Sequence, residues 1–174
     1  MRRLVSAGGS VTLALALVFL GSVAIYADDE RAAQKAAEVE GLWATGGSLI
    51  EVSQADGTLR MIVVALEEPF DADGEPLKDL ENPDKSLRDQ PILGMDLLSN
   101  YKFSGKRWEG KIYDPESGSV YSSRMKLKDG FLEMRGYIGT PLFGKTKKFK
   151  PITVCRPDML VMLNNSNIKG YCGL

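Results

Sequence analysis

The chain has 174 residues, 44% hydrophobic and 26% charged, which suits one globular domain with a real core once any targeting segment is set aside. Its formal net charge is −1, so no global field points to nucleic acid as a partner. Histidine is absent, which removes Ser-His, Cys-His and most zinc-hydrolase schemes together.

In chain order, Arg2 and Arg3 precede an apolar run from Val11 to Leu20, then the small residues Gly21, Ser22, Ala24 and Ala27. A short positive region, a short apolar core and small residues make a secretory signal peptide, 1–27, with cleavage between Ala24 and Ala27. The expected compartment is periplasmic or extracellular, with no transmembrane anchor left after cleavage. Cleavage removes two cations and makes the mature chain more acidic. Residues 28–40 are rich in Ala, Glu and Lys and open on acids, which predicts a short helical leader.

From Gly41 the texture changes to short β-type runs between glycine turns. Asp56-Gly57 and Asp129-Gly130 are two-residue hairpin signals, the second with Gly130 at positive φ. Thr58–Leu66 is apolar on both faces, as a strand covered on both sides is, with a helix outside the sheet as one possible cover. Glu67–Pro91 holds four prolines and many acids and forms the one long connection. Within it, Asn82-Pro83-Asp84 predicts a helical start capped by Asn82 with proline first. Leu93–Phe103, Lys106–Tyr113, Ser119–Lys128, Phe131–Ile138 and Lys145–Ile152 follow as strands, most of them alternating apolar and polar with period two. The sum is about eight strands joined mainly by tight turns. Because open edges invite aggregation, the economical arrangement is an all-β, up-and-down, lipocalin-like barrel over residues 41–152. A β-sandwich needs more long connections than the chain has.

Residues 153–174 form a C-terminal extension that carries both cysteines. An even pair in an exported chain predicts a Cys155–Cys172 disulfide closing a loop of about 17 residues, worth roughly 3 kcal/mol. No C-x-x-C, P-loop, G-x-S-x-G or dinucleotide fingerprint is present, and no enzyme or cofactor is expected. Asp71-Ala72-Asp73-Gly74-Glu75 fails the calcium-loop spacing, since Pro69 would fall at its first position. Lys145, Lys147, Lys148 and Lys150 read as strand guards, with attraction to anionic envelope lipid or polysaccharide as the alternative.

Asp79, Asn82-Pro83-Asp84, Leu87-Arg88, Pro91, Gly94, Trp108, Ile112-Tyr113-Asp114-Pro115, Gly118, Tyr121, Leu127, Arg135-Gly136-Tyr137, Gly139 and Leu142-Phe143-Gly144, with Gly41-Leu42-Trp43, form a spaced set. It resembles the bacterial domain of unknown function 2147 family over about Gly41 to Lys150. The resemblance implies an exported, lipocalin-like barrel and brings no activity or catalytic residues. Phe149 and Lys150 stand where the family usually has tryptophan and arginine.

The alternation places Trp108, Ile112, Tyr121, Met125, Leu127, Leu132 and Met134 on inward faces, with Trp43 beside them. A barrel of eight strands is filled by its side chains or holds one small ligand. The leading reading is a module holding a small apolar or amphiphilic ligand against these residues. The alternative is a filled, non-enzymatic barrel that serves as a cell-envelope protein-interaction or structural module. Ligand identity and oligomeric state are not written in the sequence.

Overall fold

The computed structural model describes residues 30–165. The expected signal peptide and Cys172 lie outside the described residues. The expected leader is a helix, α1, over 30–39. Eight strands follow: β1 (Gly41–Thr45), β2 (Ser48–Ala55), β3 (Thr58–Leu66), β4 (Leu98–Phe103), β5 (Trp108–Asp114), β6 (Ser119–Lys128), β7 (Phe131–Tyr137) and β8 (Lys145–Pro151). A second helix, α2 (Pro157–Asn165), comes from the C-terminal extension.

The strands form one antiparallel sheet in the order β3-β2-β1-β8-β7-β6-β5-β4. β1 meets β8 through Trp43–Pro151 and Ala44–Lys150, so both ends of the meander lie side by side. The remaining seam, between β3 and β4, is stitched by residues 94–97. Val63 N–H donates to the Met95 carbonyl, while Gly94 and Leu97 N–H donate to Val63 and Met61. The Asp96 carboxylate accepts from the Met61 and Leu98 amides and from Arg60 Nε. The result is a nearly closed barrel. The strand expected from Leu93 therefore begins only at Leu98, because the residues before it bond chiefly across the seam.

Both hairpins form as expected. Asp56 and Gly57 have φ of 51° and 70°, and Asp129 and Gly130 of 52° and 76°. This is the pair of left-handed residues whose twist matches two flanking strands. The start in the long connection is corrected by two residues. Asp84, not Asn82, caps a 3-10 turn at Lys85–Leu87 by accepting from Ser86 N–H. The Asn82 side chain instead accepts from the Asp84 amide.

β3 is covered on both sides, as its composition requires. Leu59, Met61 and Val63 face the barrel interior. A register shift in β2 between Leu49 and Ile50 interrupts the alternation, and Leu49, Val64 and Ala65 pack outside against Met159 and Leu163 of α2. The outer cover expected for β3 is thus the extension, which opens its helix with proline, a residue suited to that position.

Candidate functional site

The interior is built from side chains of every strand and from α1. Trp43, Ile50, Met61, Tyr101, Trp108, Met125, Leu132, Met134 and Phe149 are buried in one cluster, joined by Ala36 and Val39 of α1. α1 sits over one end of the barrel. There Trp43 Nε1 donates to the Val39 carbonyl at 2.9 Å, and Trp108 Nε1 to that of Lys35 at 3.4 Å. A buried indole needs such an acceptor. Of two concavities among the described residues, one is lined by residues of β6–β8 with Arg107 and the other by Arg60 with residues of the 90–96 segment.

Of the expected interior residues, Trp43, Trp108, Met125, Leu132 and Met134 are buried together, and Ile112 packs against them. Tyr121 is half-buried, with its hydroxyl 3.4 Å from Ser117 Oγ. Leu127 is corrected. It is 40% exposed, although its cross-strand partner Leu132, one step from the hairpin end, is fully buried.

Tyr101 was not among the expected residues, yet it is fully buried at the centre. Strict alternation from Leu98 would turn Asn100 and Lys102 inward. An irregularity between Ser99 and Lys102, with Asn100 at φ 53°, reverses the phase and brings Tyr101 inside. Its ring occupies the space that Gly110 leaves, since a Cβ at Gly110 would overlap it. Its hydroxyl accepts from Ser123 Oγ at 3.1 Å, and burial pushes its pKa up. The available signal was Gly110 itself, a glycine on an inward face beside a strand with a large aromatic.

At the opposite end the long connection folds over β5. Asp79 is fully buried. Its carboxylate accepts from the Tyr113 hydroxyl at 2.7 and 2.9 Å and from Asn82 Nδ2 at 2.6 Å. Arg88 Nε bonds the Asn82 carbonyl. Burial, with the neighbouring Asp79 carboxylate, pushes the Tyr113 hydroxyl up to about 12. The turn after β5 lies against this loop so closely that a Cβ at Gly118 would overlap the Glu81 carbonyl. Asp79, Asn82, Arg88, Tyr113 and Gly118, scattered in sequence, are thus one clasp.

The outer face of β6–β8 is basic. Arg107, Arg124, Met125, Lys126, Glu133, Arg135 and Thr146 line a cleft of about 220 Å³, and Arg124 lies directly opposite Arg135 in the sheet. Arg107 pairs with Glu109 and Lys148 with Glu133. Arg135 is committed to the β7–β8 connection: Nε bonds the Pro141 carbonyl at 2.7 Å, Nη2 that of Leu142 at 3.1 Å, and Nη1 bonds Thr146 Oγ1 at 2.9 Å.

Residues 41–150 match the family described as an uncharacterized protein conserved in bacteria, DUF2147. Among solved structures the chain is similar to protein HP1028 from the human pathogen Helicobacter pylori, described as belonging to the lipocalin family. The TM-score is 0.56 and the identity 23%, over 71% of this chain and 96% of that one. At that identity the likeness speaks to the fold. No curated protein matches. With the residues of the spaced motif gathered into one barrel and its clasp, and the match running from the first strand through the eighth, the chain belongs to the DUF2147 family.

Proposed function

We propose that this is an exported, non-enzymatic envelope protein that works through its outer surface, with its barrel filled by its own side chains. The observation that supports this reading is the cluster of large side chains buried inside the barrel. Trp43, Tyr101, Trp108, Met125 and Phe149 occupy the centre, and Ala36 and Val39 of α1 close one end. A ligand of ordinary size needs a pocket of roughly 300 Å³ or more. Making one here would mean displacing α1 and breaking both indole hydrogen bonds. The competing reading, a small apolar or amphiphilic ligand held inside, draws on the lipocalin-like fold.

Titration with an apolar fluorescent probe decides between them. A filled barrel leaves the emission of Trp43 and Trp108 unchanged and shows no saturable binding. Stoichiometric quenching that Met125→Trp abolishes would overturn the proposal in favour of an internal ligand.

A further inference from the structure

The three most exposed large apolar side chains among the described residues are Phe143 at 81%, Ile138 at 78% and Leu142 at 76%. All three lie in the single β7–β8 connection, whose ends are held by the pairing of Gly136 with Lys145. This connection is built. Arg135 bonds two of its carbonyls, and Thr140 caps the 3-10 turn Pro141–Phe143 by accepting from Leu142 N–H. Gly144 lies so close to Gly136 that a Cβ would crowd the carbonyl there. Clustered apolar exposure on an ordered projection marks a contact site, since a lone monomer gains nothing from it.

The surroundings indicate what it contacts. Lys145 and Lys147 follow within four residues of Phe143, both exposed, and neither joins an ion pair among the described residues. An apolar tip with a cationic fringe is complementary to the boundary between acyl chains and anionic headgroups. No helix among the described residues is long and apolar enough to cross a membrane. We propose that Ile138, Leu142 and Phe143 enter the interface of an anionic lipid bilayer while Lys145 and Lys147 meet its phosphates. This rests on the surface-contact reading above and names its partner.

The test uses the purified chain with vesicles of phosphatidylcholine alone or with phosphatidylglycerol added. Partition onto the anionic vesicles is expected, weakening with salt. The double variant Leu142→Ser, Phe143→Ser should lose about tenfold or more of that partition. Lys145→Gln with Lys147→Gln should lose a comparable factor on anionic vesicles only. All four side chains are exposed, so unchanged melting temperatures separate lost binding from lost folding. Phe143→Trp supplies a reporter that bromine-labelled lipid quenches when the tip inserts. Absence of partition at low salt, partition indifferent to the tip variant, or binding without quenching would each overturn the proposal. A soluble protein bound through this tip in place of lipid would do the same. The filled-barrel reading is tested separately: if vesicles fail and the apolar probe still does not bind, only the lipid partner is wrong.

Discussion

Asp79 and Tyr113 show how much one buried carboxylate can organise. The Asp79 side chain is reached by two donors, Tyr113 and Asn82, and a buried carboxylate that loses a donor costs more than an average hydrogen bond. Tyr113→Phe should therefore destabilise by about 1–3 kcal/mol in urea denaturation. The pair also sets an alkaline limit. An unfolded tyrosine titrates near 10, whereas Tyr113 is held up to about 12 when folded. Between those values the unfolded chain binds fewer protons, so this contribution to stability is complete below about pH 10 and is lost as pH rises toward 12. Tyr113→Phe should flatten that limb of the pH–stability curve, while the buried Tyr101, also pushed up, preserves a remainder. The sequence already displayed Asp79, Asn82 and Tyr113 as parts of one spaced set. That they share hydrogen bonds depends on a loop closing across about thirty residues, which no local pattern encodes.

At the scale of elements, turn glycines separate two costs. Gly130 sits at φ 76° with open space around it. Gly130→Val should thus cost only the left-handed conformation, about 1–2 kcal/mol, seen as a lowered melting temperature. Gly118 combines φ 63° with the overlap on Glu81, so Gly118→Ala should cost more and also loosen the 67–97 connection. Limited proteolysis of that connection checks the second effect; equal melting temperatures for the two variants would show that the close approach does not hold the loop. Strand existence, hairpin turns and the two-sided burial of β3 were legible because period-two alternation and Asp-Gly are local signals. The late start of β4, the inward turn of Tyr101 and the exposure of Leu127 were not. The first two depend on a neighbour, β3 for the seam and Gly110 for the ring, and Leu127 is uncovered while its paired Leu132 is buried.

At the scale of the whole molecule, α2 and the barrel are held together by Leu49, Val64 and Ala65 against Met159 and Leu163. The expected Cys155–Cys172 bond would close a loop within the same extension; Cys172 lies outside the described residues. Thiol labelling of the native protein without reductant should find neither sulfur, and reduction should lower stability by up to roughly 3 kcal/mol. Ready labelling of both would remove the staple from this account. Composition, alternation and turn chemistry were enough to determine an all-β meander of eight strands, because each is written within a few residues and repeats along the chain. Family membership was legible from a motif spread over residues 41–150. The free volume inside such a barrel belongs to tertiary structure alone, because it depends on bulges, glycine gaps and the seating of α1 all at once. The exposure of the β7–β8 connection was decided there too. Ile138, Leu142 and Phe143 look like any apolar residues in sequence, and only the folded turn, tied down by Arg135, holds them out in solvent.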